Sequence, residues 1–383
     1  MTRLAIAADL HVDDFGTRLD PRTGWNARFE DAIAAVEFIA EAAVQAKVDA
    51  LIVAGDYTER RSPAPPRVAR IRDALALGPA RQIHLRGNHD QERSGRSIVD
   101  VLGATDGWEG FTAPGIDLIG DVAICAIPFL GPSHLRAQEG FEAATPADVY
   151  RALGEAYLDV ARGLYARART AWPDSTPILV GHQQLAGGRM NDAQAAFLGD
   201  MDLVVDARAL AAIGFAAVIF GHVHRGQVVI TDPDCPVLFV GSAHRVDFAE
   251  ELEEKRFLLL DVNTTGHVVE TSIESVAIPA RRFVTLRGDG AAAPGSVDVA
   301  GAIVRCLDVP LEVDPAELRR ALEELGAVEV IEIRQVRTAR PEIVGGLAEG
   351  LSAEQALDAW FADDSDRQAL VERGRVVLAE IAA

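Results

Sequence analysis

At five places in this chain an apolar run stops and Asp, Asn or His follows at once. The segments are Asp9-Leu10-His11, Gly55-Asp56, Gly87-Asn88-His89-Asp90, Gly181-His182 and Gly221-His222-Val223-His224. Ligand-bearing residues placed just beyond strand ends are the habit of α/β proteins. This feature therefore restricts the fold before composition enters. The glycines ahead of Asp56, Asn88, His182 and His222 allow sharp turns and close backbone approach. Asp9 and His11, two apart on an extended chain, are expected to point to one side, and so are His222 and His224.

The rest of the order agrees with an α/β domain. Leu4–Ala8, Ala50–Ala54 and Gln82–Leu85 read as strands. Between them, Asn26–Lys47 carries apolar residues at helical spacing (Ala32, Val36, Ile39, Ala40, Ala43), and Arg67–Leu77 reads as a second helix. Further strands are expected at 122–127, 178–180, 217–220, 237–240 and 257–262, spaced more like a meander. Two packed sheets flanked by helices fit this order. A domain boundary is placed near Ile278-Pro279, giving a first domain over 1–278. Residues 279–341 form a small α/β unit, with Asp314-Pro315-Ala316-Glu317 as a capping box that starts a helix and Val328–Ile333 as a strand. Residues 342–383 read as a helical tail: Ser352-Ala353-Glu354-Gln355 is a second capping box, and Trp360 and Phe361 share one helical face.

Charge qualifies the function classes. The chain has 37 Lys and Arg against 58 Asp and Glu, a formal net of −21. Dedicated nucleic-acid binders are usually basic, but a site can carry its own cations, and residues 281–340 are nearly neutral. Arginines 60, 61, 67, 70, 72, 93 and 96 cluster around two of the motif loops. No apolar window reaches the ~18–20 residues of a membrane span, and the N-terminus turns acidic too early for a signal peptide. The three scattered cysteines suit neither a disulfide framework nor a zinc site, which places the protein in a reducing cytoplasm.

Singly, each motif is a common loop sequence; together they hold three carboxylates, one amide and five of the nine histidines. Mixed oxygen and nitrogen donors suit manganese, iron or zinc better than calcium. Two Asp, one Asn and four His, with one Asp shared, provide four protein ligands for each of two cations. Such a pair is suited to phosphoryl chemistry. One histidine is then left as an acid for the leaving oxygen; His89 is the candidate, with Asp90 expected to orient its ring.

The ordered set resembles the calcineurin-like metallophosphoesterase superfamily, over roughly Leu4–Phe257. That resemblance implies a two-sheet sandwich flanked by helices and a pair of divalent cations, most simply Mn2+. The first would be held by Asp9, His11, Asp56 and His224, the second by Asp56, Asn88, His182 and His222. Within the superfamily the chain is most similar to the SbcD-type DNA-repair nucleases. The stretch Gly214–Gln227 resembles their last metal motif. Gly241-Ser242-Ala243-His244-Arg245-Val246-Asp247-Phe248-Ala249-Glu250 resembles their Gly-Ser-x-x-Arg-x-x-Phe-x-Glu signature, and Glu254–Asp261 the strand after it. The resemblance implies a manganese-dependent DNA exo- or endonuclease with little sequence specificity. It also implies a capping domain over 279–341, a tail that docks an SbcC-like SMC-type ATPase, and homodimerisation through helices flanking the Asn-His motif. A small-molecule or cyclic-nucleotide phosphodiesterase on the same core is the alternative. One departure stands out: where some relatives carry a histidine three residues after the shared Asp, this chain has Glu59. His84, His134, His244 and His267 read as structural or surface residues.

Overall fold

The structure, a computed structural model, describes residues 1–90, 97–131, 146–191, 194–195, 203–265, 268–288, 295, 297–336 and 369–375. The chain divides into two compact units: Met1–Thr285 with Gly301–Ile303, and Leu286–Ala300 with Val304–Ala383.

The first unit is built on two six-stranded sheets. In one, β1 (Thr2–Ala7), β2 (Ala50–Ala54), β3 (Gln82–Leu85) and β4 (Trp108–Phe111) run parallel. The other contains β5 (Gly115–Ile119), β6 (Val122–Ile127), β7 (Thr176–His182), β10 (Val218–Gly221), β11 (Gln227–Ile230) and β12 (Val237–Phe239), in the order β11-β12-β10-β7-β6-β5. A separate two-stranded ladder pairs β8 (Gln184–Leu185) with β9 (Val204–Val205). The hairpin of β13 (Arg256–Thr265) and β14 (Val268–Ala277) completes the first sheet, with β13 antiparallel to β1.

The expected meander is corrected here. In the second sheet β6, β7, β10 and β12 are parallel neighbours, and the hairpins β5–β6 and β11–β12 add its antiparallel edges. Parallel pairing requires long crossovers, and β6 and β7 are linked by a 26-residue helix, Pro146–Ala171.

Alternation along the strands divides the core into three layers. Leu4, Ile6, Ile52, Ile83 and Leu85 of one sheet meet Ile124, Ile178, Val180, Ile219 and Leu238 of the other. The outer face of the first sheet (Ala5, Leu51, Val53) packs on α1 (Ala27–Gln45) and α2 (Pro65–Leu75). Residues Leu153, Tyr157, Ala161, Leu164 and Ala168 of the Pro146–Ala171 helix cover the outer face of the second sheet. Helix α1 starts where its cap dictates: the Asn26 side chain accepts hydrogen bonds from the amides of Arg28 and Phe29 at 2.9 and 3.2 Å. Such a cap is worth about 1 kcal/mol. The helix stops at Lys47, whose backbone is left-handed at φ 55°.

A third sheet has three strands, β15 (Phe283–Arg287), β16 (Ile303–Pro310) and β17 (Glu329–Val336), with β16 in the middle. In the second unit the helix Pro315–Glu324 is capped by Asp314, whose side chain accepts from the Ala316 amide at 2.7 Å, with proline in the first turn. Most of the expected tail, including Ser352, Trp360 and Phe361, lies outside the described residues.

Candidate metal centre

The five motifs sit at the carboxyl ends of β1, β2 and β3 in one sheet and β7 and β10 in the other. The backbone does not remain extended there, as the spacing of Asp9 and His11 suggested. β1 ends at Ala7, and Asp9 and His11 are left-handed at φ 52° and 40°. Asp56 (58°) and His222 (93°) share this conformation. Non-glycine residues hold it at a cost of about 1–2 kcal/mol each, so the surroundings must enforce it. The amides of Asp9 and His11 donate to the carbonyls of Gly55 and Asp56, both at 3.0 Å. The His222 amide donates to the Asp9 carboxylate at 2.9 and 3.1 Å.

Two glycines make the convergence possible. Gly55 has φ 93°, and a Cβ there would lie 2.9 Å from the Gly87 Cα. A Cβ on Gly87 would fall 2.7 Å from Asp56 Cγ. Asp90 ties the same loops together: its carboxylate accepts from the amides of Asp56, Tyr57 and Gly87 at 2.7, 2.8 and 2.7 Å. The expectation that Asp90 orients His89 is therefore corrected: its carboxylate binds three backbone amides, and the His89 ring is met instead by the Glu59 carbonyl oxygen. Gly87→Ala is expected to displace the Asp56 carboxylate and strip divalent cations from the folded protein, as elemental analysis would show.

The seven candidate ligands come together. Donor atoms of Asp9, His11 and His224 lie within 4.8 Å of one another, and so do those of Asp56, His182 and His222. His182 Nε2 stands 3.2 Å from Asp56 Oδ2 and 3.1 Å from Asn88 Oδ1; His222 Nδ1 is 2.9 Å from the same amide oxygen. Asp56 also lies 3.7 Å from His11 Nε2, which connects the two groups. His11, Asp9, Asp56, His182 and His222 are nearly fully buried.

The donor set fits divalent cations on a further ground. The Nε2 atoms of His11 and His224 face each other at 2.9 Å. Each ring has a carboxylate on its other nitrogen: Glu59 Oε2 is 2.9 Å from His11 Nδ1, and Glu250 Oε1 is 2.7 Å from His224 Nδ1. A proton held on His224 Nδ1 by Glu250 leaves the Nε2 lone pair turned toward His11 Nε2, where a cation can accept it.

Charge within the site is strongly coupled. Burial alone would raise the Asp56 carboxyl, but His182, then His89 and His11, hold it well below the usual carboxylate range. Burial opposes charge on His182, yet Asp56 and Asp9 bring its imidazole up to about 9. Burial and the Asp56 charge push Asp90 up to about 7, against its backbone hydrogen bonds. Glu59 is held down at about 2 by His11, His89 and His224 despite its burial.

His89 lies beside the ligands at the rim of a cleft of about 260 Å³, lined also by His11, Asp56, Glu59 and Gln194. Its amide donates to Asp56 Oδ1 at 2.9 Å, and its Nδ1 contacts the Glu59 carbonyl oxygen at 2.9 Å. Glu59, which the sequence marks only as a departure from relatives, thus meets His89 through its carbonyl oxygen and pairs with His11 through its carboxylate. Gln194 carries no motif that would single it out: its side chain donates to the His222 carbonyl and accepts from the His224 amide, both at 3.1 Å. His84 is buried against Tyr57 and Trp108, and burial brings its pKa down to about 3. His244 is buried, with Nε2 3.2 Å from the His11 carbonyl. His134 and His267 lie outside the described residues.

The arginine cluster is largely committed to carboxylates. Arg67 pairs with Asp13 and Asp14 and lies over the Phe29 ring; Arg70 pairs with Glu30, and Arg72 with Asp73. Arg60 reaches Asp13 at 3.4 Å. Arg93 and Arg96 lie outside the described residues.

Residues 2–226 match the family described as calcineurin-like phosphoesterase, more than half of the chain, and the chain belongs to that family. It is accordingly a metal-dependent phosphoester hydrolase, with candidate ligands for the dinuclear site that this family uses. The SbcD subunit of the SbcCD nuclease of Escherichia coli strain K12 is 27% identical over 355 residues, covering 85% of this chain and 85% of the relative. Among solved structures, a dimetal phosphatase from Danio rerio is similar at a TM-score of 0.42 and 10% identity, covering 72% of this chain and 98% of that one. A purple acid phosphatase from yellow lupin (Lupinus luteus) matches at 0.42 and 13%, covering 72% and 51%. No functional reading rests on likenesses of that degree. Among the described residues no helix is long and apolar enough to cross a membrane.

Proposed function

We propose that this chain is a manganese-dependent DNA nuclease, the catalytic subunit of an SbcC–SbcD-like repair complex. The observation that carries this reading is the extent of the likeness to the E. coli nuclease subunit. It spans 85% of both chains and so continues past residue 226, where the match to the phosphoesterase family ends. The Gly241–Glu250 signature lies in that additional region.

Asp9, His11, Asp56 and His224 hold one cation in this reading, and Asp56, Asn88, His182 and His222 the other. Bound there, two divalent cations supply positive charge to a phosphoryl group and acidify an attacking water. The chain's own residues do the rest. Asp56 joins the two donor groups, and the buried walls keep their orientation fixed. His89, with Nδ1 against the Glu59 carbonyl oxygen, presents Nε2 to the departing sugar oxygen as proton donor. Because most of the described arginines nearby are paired with carboxylates, attraction for DNA comes chiefly from the cations themselves. Contacts of this kind go to phosphate and read no sequence.

The partners in this reading are DNA, a second copy of the chain and an SbcC-like ATPase that docks on the tail around Trp360 and Phe361. Truncation before Ser352 is expected to leave a folded, active nuclease that no longer co-purifies with the ATPase. A truncated chain that loses its melting transition would instead make the tail part of its own domain. The test of the function is hydrolysis, with manganese, of double-stranded and single-stranded DNA beside a chromogenic phosphodiester. Cleavage of the chromogenic diester with both DNA substrates intact would reject the nuclease reading in favour of a small-molecule phosphodiesterase.

A further inference from the structure

The Gly241–Glu250 signature and Lys255 have no place in the ligand set, yet they converge behind it. Glu250 is fully buried, and Lys255 is 2% exposed. One carboxylate oxygen of Glu250 meets His224 Nδ1 at 2.7 Å, and the other meets Lys255 Nζ at 2.7 Å. The second oxygen also accepts from the Val246 amide at 3.1 Å and from Ser242 Oγ at 3.3 Å. Lys255 is completed by Ser242 Oγ at 2.8 Å and Glu253 at 2.9 Å. The single Ser242 hydroxyl proton is shared between that Glu250 oxygen and the His244 carbonyl, 3.0 Å away.

We infer that Glu250 is a positioning residue for the metal centre: with Lys255 as its counter-charge, it holds the His224 ring so that Nε2 faces His11 and the cation. This rests on His224 being a ligand, as proposed above. A ring nitrogen opposite the metal normally carries its proton to a carboxylate, which fixes tautomer and orientation and makes the ligand more basic. A lone buried carboxylate would be too costly to keep ionised. Lys255, one of only two lysines in the chain, removes that cost from inside the core. Glu59 approaches His11 Nδ1 at 2.9 Å as an ion pair, from a more exposed position, with a side chain 38% accessible. Glu250 is thus the arm that solvent cannot replace, and the signature segment serves the first cation from behind.

The experiment is manganese titration of metal-stripped full-length protein by calorimetry, with the melting temperature of each apo-protein measured alongside. Glu250→Gln alone leaves Lys255 facing an amide. The double variant Glu250→Gln/Lys255→Met removes both charges and keeps the volume. Glu250→Asp keeps the charge but shortens the reach. The double variant is expected to melt near the wild type while one of its two manganese sites weakens about 10–100-fold, the usual effect of losing such a partner. The other site should stay unchanged. Glu250→Asp should weaken the same site, which keeps the inference testable if the double variant folds poorly. Native affinity at both sites in folded Glu250→Asp or in the double variant would overturn the inference. A wild-type chain that takes up fewer than two manganese ions would instead overturn the metal-centre reading on which it depends.

Discussion

Asp56→Ala is expected to empty both metal positions and abolish hydrolysis. Asp56 is the carboxylate that lies 3.2 Å from His182 and 3.7 Å from His11, one imidazole in each donor group. Its removal takes a ligand and a negative charge from both cations at once. Neither neighbouring aspartate is free to take its place. Asp90 is held by three backbone amides, and Asp9 already accepts from the His222 amide. The fold should survive: the Asp56 amide still donates to Asp90, the left-handed turn remains, and the substitution relieves a buried charge. Metal content by elemental analysis and a thermal melt on the same preparation check both halves. Two cations per chain in the variant would show that the shared ligand has been misassigned.

The second large effect separates binding from chemistry. His89→Ser should lower turnover by about 10²–10⁴-fold, the usual contribution of a general acid, with both cations retained. Retention is expected because His89 reaches the site through the hydrogen bond from its backbone N–H to the Asp56 carboxylate, which the variant keeps, and through its ring contact with Glu59. DNA affinity should persist as well, with its salt dependence intact, since the cations supply most of the attraction. Metal content, salt-dependent DNA binding and cleavage of a linear duplex are measured on one sample. Wild-type cleavage, or the loss of a cation, would remove His89 from the role given to it.

The parts of the molecule that the chain announces are those where one local signal coincides with one tertiary role. Ala50–Ala54 and Val122–Ile127 are continuous apolar runs because both their faces are buried, and their limits, like those of Gln82–Leu85, are readable to the residue. The motif residues are readable because an α/β sandwich gathers strand ends. What escapes is of two kinds. The Pro146–Ala171 helix has a signal, with Leu153, Tyr157, Ala161, Leu164 and Ala168 three or four residues apart. It is missing from the expected order of elements, and with it the crossover that makes β6 and β7 parallel. The second kind has no local signal. The left-handed turns at Asp9 and His11, and the pairing of Glu250 with His224, depend on segments far apart in the chain. The arginines show the same limit in reverse: a cluster that resembles a phosphate-binding surface is mostly taken up by Asp13, Asp14, Glu30 and Asp73.

The most direct test of the central claim joins metal count to reaction. Purified chain is stripped with chelator, manganese is returned in steps, and bound manganese and cleavage of a linear DNA duplex are followed together. The two-cation nuclease account predicts that cleavage is absent in the stripped protein and is restored as occupancy reaches two ions per chain. Saturation at two ions with the duplex intact, or cleavage by the stripped protein, would contradict it.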